Sequence, residues 1–145
     1  MWTPIETMGA IEYRDEAPEA AEFVRLFRTT GWDTADLLTV DGAAAALAAG
    51  WAAVCAYEGG RLVGTGRVVG DGVIHALLVD VIVAPERRGR GIGTTIVERL
   101  VARCREARVH DIELFCASGV APFYERLGFR ARPDGAPGMD LPQER

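Results

Sequence analysis

Between Val83 and Gly93 the chain reads Val-Ala-Pro-Glu-Arg-Arg-Gly-Arg-Gly-Ile-Gly, and a run with helical spacing follows. The first N–H groups of a helix have no intrahelical acceptor and carry partial positive charge, which makes them a ready site for phosphate. Glycines at 89, 91 and 93 remove the Cβ atoms that would keep a pyrophosphate away from those amides. Two other phosphate motifs fail on residue identity. The dinucleotide pattern G-x-G-x-x-G needs glycine at 94, where Thr94 stands, and it lacks a preceding parallel βαβ context. A P-loop needs Gly-Lys-Ser/Thr, and the chain has no lysine. Local charge agrees with a small anionic ligand. Residues 84–108 carry seven Arg against three Glu, whereas residues 1–60 carry three Arg against ten Asp and Glu, a net of −7. Nucleic acid would favour a broad basic face, and the chain's net charge is −5. Arg99, Arg103, Arg105 and Arg108 read equally well as solvated helix surface.

A second motif stands further on, Phe123-Tyr124-Glu125-Arg126-Leu127-Gly128-Phe129. With these two motifs, the sequence resembles the GNAT superfamily of N-acetyltransferases. Arg88, Gly91 and Gly93 fill that family's R/Q-x-x-G-x-G/A pattern, Val83 and Pro85 match its strand exit, and the late segment matches its F-Y-E-x-L-G-F element. The resemblance covers residues 61–129 and is topological only over the first 60. It implies acetyl-CoA as co-substrate and no metal. It implies that the backbone of Val81, Ile82 and Val83 pairs with the pantetheine arm. Amides of Arg88, Gly89, Arg90, Gly91, Ile92, Gly93 and Thr94 would hold the pyrophosphate, with Phe123 a further coenzyme contact. Tyr124 matches the family's general acid toward the departing thiolate, a task that needs proximity more than a large pKa shift. Backbone donors near the end of the fourth strand would polarise the thioester carbonyl. The implied reaction is direct attack of a primary amine, from a small molecule or a peptide, in a ternary complex. The alternative is a non-catalytic acyl-CoA-binding sensor or regulatory module.

The sequence departs from the family at two places. Ala117 stands where many relatives carry Asn, and Val79 where several carry a Glu that handles the amine proton. Asp80 is the substitute candidate for that base. Strict alternation turns Asp80 to the face opposite Val79, and a bulge in this strand would change that. Trp32 divides between a core anchor and a wall of the acceptor pocket. His75 reads as a packed neutral histidine in mid-strand, Cys116 as a small apolar wall on the fifth strand, and Ser118 as the cap of the late helix.

The elements that must position these residues follow from periodicity. Residues 11–13 alternate as a first strand, and residues 19–28 form an amphipathic helix on Ala20, Phe23, Val24 and Phe27. A loop over residues 29–33 precedes a second helix over about residues 35–49. Residues 51–58 and 61–69 read as a hairpin about Gly59-Gly60, and residues 73–83 as a long strand after Asp71-Gly72. Ile92, Ile96, Leu100 and Cys104 recur every four residues as the buried face of a third helix. A strand over residues 112–116, a helix over 121–127 and a last strand complete the order β-α-α-β-β-β-α-β-α-β. The class is α/β with a mixed, largely antiparallel sheet flanked by helices, strands four and five being parallel through a right-handed crossover.

A length of 145 residues suits one domain, with residues 1–60 supplying acceptor-side elements and 61–129 the coenzyme-binding core. No apolar run reaches membrane-spanning length and the start of the chain lacks a signal peptide's pattern, so the expected location is the cytoplasm. Cys55, Cys104 and Cys116 are widely spaced and read as reduced, buried thiols rather than zinc ligands. No membrane or nucleic-acid partner is expected, and a homodimer is compatible with the sequence.

Overall fold

The computed structural model describes residues 9–142. By internal packing the chain divides into two compact units, residues 1–113 and 114–145. The first unit opens with β1 (Ile11–Arg14), α1 (Ala20–Phe27) and α2 (Val40–Ala49). It continues through β2 (Ala52–Glu58), β3 (Arg61–Gly70) and β4 (His75–Val83), a 3-10 turn (Pro85–Arg87), α3 (Ile92–Glu106) and β5 (Asp111–Leu114), which ends at the unit boundary. The strands lie in the order β1-β2-β3-β4-β5, and β1 to β4 pair antiparallel in succession. Five strands, largely antiparallel and flanked by helices, are the class that the sequence suggests.

The hairpin between β2 and β3 turns on Gly59 and Gly60, both at positive φ, as a tight two-residue connection of twisted strands requires. Helix α3 buries Ile92, Ile96, Val97, Leu100 and Cys104, the residues picked out by four-residue spacing. Each fully buried Ile or Leu there contributes roughly 1.5–3 kcal/mol relative to exposure. The helix sits close to β3 because that strand carries glycine at 64 and 66. A Cβ at Gly66 would stand 2.8 Å from Ile96 Cγ2 and 3.0 Å from Leu100 Cδ1. On the other side of the sheet, Phe23, Val24 and Ala43 join α1 to α2, with Phe27, Leu38 and Leu47 packed around them.

Three boundaries move for identifiable reasons. Helix α2 starts at Val40, later than the sequence suggests, because the Asp33 carboxylate accepts the amides of Leu37 and Leu38 and Asp36 adopts a φ of 50°. Thr39 then caps the helix, its Oγ1 accepting the Gly42 amide at 3.0 Å. Strand β4 starts at His75 because Asp71 takes the amides of Val73, Ile74 and His75. The last expected strand is absent among the described residues. After Phe129 the chain runs through Pro133, which has no N–H, and a turn at Asp134 and Gly135, both at positive φ.

The second unit contains α4 (Ala121–Arg126). Its ring cluster places Tyr124 edge-on to Phe123 at 4.9 Å and edge-on to Phe129 at 5.9 Å. Gly128, at φ 97°, ends the helix and lets the Phe129 amide bond back to the Tyr124 carbonyl. Val120 occupies the N-cap position with no side-chain bond, so Ser118 does not cap this helix as expected. Cys55 and Cys104 are buried, whereas Cys116 is exposed and lies beyond the end of β5. No helix among the described residues is long and apolar enough to cross a membrane.

Candidate active site

The first unit brings most of the singled-out residues to one end of β4. The strand leaves the sheet at Val83, and Pro85–Arg87 turns the chain toward α3. Glu58, at the end of β2, grips Arg87 through Nε and Nη2 with contacts of 2.8–3.2 Å. Arg88 Nε donates to the Val83 carbonyl at 3.3 Å. Gly89 and Gly91 have φ of 76° and 81°, and a Cβ on either would meet no atom within 4 Å. Backbone conformation requires these glycines, and they border open space rather than packed protein. Gly91 is the N-cap of α3, and no side chain caps the helix. The first intrahelical bond runs from the Thr95 amide to the Gly91 carbonyl, so the amides of Ile92, Gly93 and Thr94 stand before it. Arg88 and Arg90 are exposed beside these amides, an arrangement of the kind that can bind an anion.

Strand β5 has four residues against nine in β4. The amides of His110 and Asp111 bond to the Val73 and Ile74 carbonyls, just before the start of β4 and away from Val83. Four residues extend roughly 13 Å and nine roughly 30 Å. The outer edge of β4 at Val81, Ile82 and Val83 therefore lies beyond the reach of β5.

The facing of Asp80 is now decided. Thr65 pairs with Ile82 and Arg67 with Val79, two steps on β3 against three on β4, so β4 carries a bulge between them. Asp80 sits in that bulge at φ 52°. Gly66 faces α3, so Arg67 lies on the opposite side of the sheet, where its Nη1 reaches the Ala46 carbonyl of α2 at 3.2 Å. Asp80 Oδ2 accepts from Arg67 Nε at 2.7 Å, with the two side chains only 21% and 17% exposed. The bulge thus overrides strict alternation and brings the Asp80 carboxylate to the side that Arg67 occupies. A bulge also leaves an extra residue outside the ladder.

The remaining candidates stand elsewhere. Trp32 is half exposed on the loop after α1, edge-on to Phe27 at 5.8 Å. A cavity of about 190 Å³ opens beside Arg67 and is lined by Asp15, Glu16 and Trp51, not by Trp32. Tyr124 and Phe123 belong to the second unit. Burial, and secondarily the nearby Cys116, push the Tyr124 phenol above its usual value, so it stays protonated through the neutral range. His75 is exposed at the first residue of β4, not packed in mid-strand as expected, with Nδ1 3.7 Å from Asp111 and 3.9 Å from Glu113. These three side chains are a group that could hold a metal ion, on a solvent-exposed stretch of the sheet. Arg67 and Glu58 were not singled out by sequence reasoning. The available signal for Arg67 was a charge amid the apolar and glycine residues of β3, which needs a partner when buried. Asp80 is the only acidic residue of the neighbouring β4.

The model of the acetyltransferase (GNAT) family matches residues 12–129, spanning both units. The chain belongs to the GNAT acetyltransferase family. Serotonin N-acetyltransferase 2 of Oryza sativa subsp. japonica, named as chloroplastic, is 44% identical over 80 residues, 55% of this chain and 40% of that protein. The chloroplastic GCN5-related N-acetyltransferase 2 of Arabidopsis thaliana is 40% identical over 79 residues, 54% of this chain and 31% of that protein. The chain thus spans less than half the length of both relatives. A GNAT family acetyltransferase of Streptococcus pneumoniae superposes with a TM-score of 0.78 at 23% identity, covering 94% of this chain and all of that one. At that identity the likeness is one of fold. The uncapped α3 amides lie within the stretch that the GNAT model matches, as do the bulged β4 and Tyr124.

Proposed function

We propose that this chain transfers an acetyl group from acetyl-CoA to a primary amine, the amine attacking the thioester directly in a ternary complex. The observation that carries the reading is the start of α3. Amides of Ile92, Gly93 and Thr94 without a capping side chain, two left-handed glycines bordering open space, and exposed Arg88 and Arg90 fit a pyrophosphate. In this reading, amides from Arg88 to Thr94 hold that group. Val81, Ile82 and Val83 offer their backbone to the pantetheine arm along the edge that β5 does not reach. A backbone N–H released at the bulge, assigned to Val81, donates to the thioester carbonyl as its oxygen gains charge. Asp80 takes the amine proton, and Tyr124 protonates the departing thiolate. Phe123 is a coenzyme contact, and Trp32 lines the entry of the acceptor.

The test is thermal. Acetyl-CoA binding to the native state alone raises the melting temperature. Gly91→Trp fills the space in front of the amides and is expected to abolish that rise while the protein stays folded. A wild-type melting curve unmoved by millimolar acetyl-CoA overturns the coenzyme assignment. Thiol release across a panel of amines then separates an enzyme from a protein that only binds acyl-CoA.

A further inference from the structure

We propose that Arg67 is a positioning residue for acetyl transfer: by holding Asp80 in the left-handed bulge of β4, it aims the Val81 amide at the thioester carbonyl. The proposal rests on the acetyl-transfer reading above and adds to it the group that sets the geometry.

Asp80 has a φ of 52°, a conformation that L side chains rarely adopt. Where this chain makes left-handed turns in its anion-binding loop, it places Gly89 and Gly91. At the bulge it places an aspartate, which enters this region more readily than most side chains, as Asp36 and Asp134 do here. It does so at a cost that glycine does not have, so a partner that holds the side chain favours the bulge. That partner is Arg67, bonded at 2.7 Å with both side chains largely buried. Its guanidinium is a rigid planar fork whose arms point in different directions. Nε serves the bulge, while Nη1 serves Ala46, a carbonyl near the end of α2. Arg67 itself is fixed on β3 opposite Val79. One residue therefore ties the bulge to two other elements of the same unit.

Take Arg67 away and the Asp80 carboxylate loses its buried counter-charge, which frees the backbone to relax toward extended geometry. The ladder with β3 can then close and recapture the Val81 amide. A donor that stabilises developing negative charge works only when it is already aimed, and a small error in its direction lowers the rate with little effect on ground-state binding. Arg67 also engages one carboxylate oxygen, Oδ2, which fixes the direction in which Asp80 presents its other oxygen.

The experiment compares the Val81 amide in ¹⁵N-labelled protein saturated with acetyl-CoA and with free coenzyme A, which differ only in the thioester. In wild-type protein the amide proton is expected to shift downfield with acetyl-CoA. Arg67→Met keeps the apolar stem and is expected to remove at least half of that difference, with the acetyl-CoA Kd held within about threefold. Arg67→Lys, a charge without the fork, is expected to fall between. An undiminished difference in Arg67→Met, or none in the wild type, overturns the proposal. If the wild type fails to bind acetyl-CoA, the function reading fails instead, and hydrogen exchange decides the role of Arg67. Exchange at Val81 roughly tenfold slower in Arg67→Met, as the ladder recaptures the amide, with Leu77 and Leu78 unchanged, supports it; equal or faster exchange overturns it. Should Arg67→Met not fold, Arg67→Lys carries the same two readouts.

Discussion

Glu58 holds Arg87 at the point where the chain turns from β4 into the loop before α3, with N–O contacts as short as 2.8 Å. The hairpin residue and the loop residue are 29 positions apart, so this pair fastens the loop to β2. The Arg87 guanidinium, chiefly by hydrogen bonding, holds the Glu58 carboxyl below the ordinary value of 4.5. A depressed carboxyl contributes stability that is complete above its unfolded value and is lost as pH falls through the folded one. The melting-temperature difference between wild type and Glu58→Gln is therefore expected to be positive at pH 7 and to shrink below about pH 4.5. A difference that stays constant from pH 7 to pH 3 would remove the ion pair from the account of the loop.

Gly66 is a packing requirement of α3. A methyl group there would press on Ile96 and Leu100, both fully buried, and something would have to shift. Gly66→Ala is expected to cost about 1–3 kcal/mol and to lower the melting temperature by several degrees, up to about 10 °C. Gly59→Leu is expected to destabilise by a different route, because its φ of 56° strains any Cβ although the space is open. Calorimetry on both separates crowding from backbone strain, since the Gly66 penalty should shrink when Ile96→Ala removes the crowded Cγ2 and the Gly59 penalty should not.

The helix α3 and the glycine loop were legible because their determinants are local: four-residue spacing and glycine positions need no knowledge of distant residues. Asp80 shows where local reading stops. Its facing depends on a bulge whose stabilising partner, Arg67, lies 13 positions earlier on another strand. The start of α2 was misjudged for a related reason, since alanine content suggests a longer helix while the Asp33 side chain competes for two of its amides. Past Phe129 a last strand was expected, but Pro133 and the turn at Asp134 and Gly135 stand in its place. Cys116 was expected inside because its neighbours are apolar, yet β5 stops at Leu114 and leaves it exposed.

Tyr124→Phe keeps the ring cluster with Phe123 and Phe129 and removes only the phenolic proton. If Tyr124 protonates the leaving thiolate, turnover is expected to fall roughly ten- to a thousandfold with acetyl-CoA affinity nearly unchanged. Because burial raises the phenol above its ordinary value of 10.0, the acid form persists through the neutral and mildly alkaline range. No loss of rate below about pH 10 should then be traceable to Tyr124. Unchanged turnover in the variant, under conditions where chemistry limits the rate, would leave Tyr124 a packing residue.

Charge gives an expectation for the acceptor. Residues 1–60 carry a net of −7, and the cavity beside Arg67 is lined by Asp15 and Glu16. A negative surface raises the local concentration of cations and speeds their encounter, an effect that fades as salt screens it. The expected acceptor is thus a cationic amine without a compensating carboxylate or phosphate, entering past the loop that carries Trp32. Such an amine is mostly protonated at neutral pH, so kcat/KM should climb with pH as the free base appears. Asp80→Asn is the informative variant, because asparagine tolerates a positive φ and still offers Arg67 an oxygen while losing the basic carboxylate. It is expected to lower turnover and flatten that climb, whereas an unaltered profile would mean that solvent takes the proton. An ionic-strength series on the best amine completes the test: kcat/KM should fall several-fold between low and physiological salt. A rate indifferent to salt, or a preference for anionic acceptors, would show that the acidic residues of α1 and its flanking loops are ordinary solvated surface.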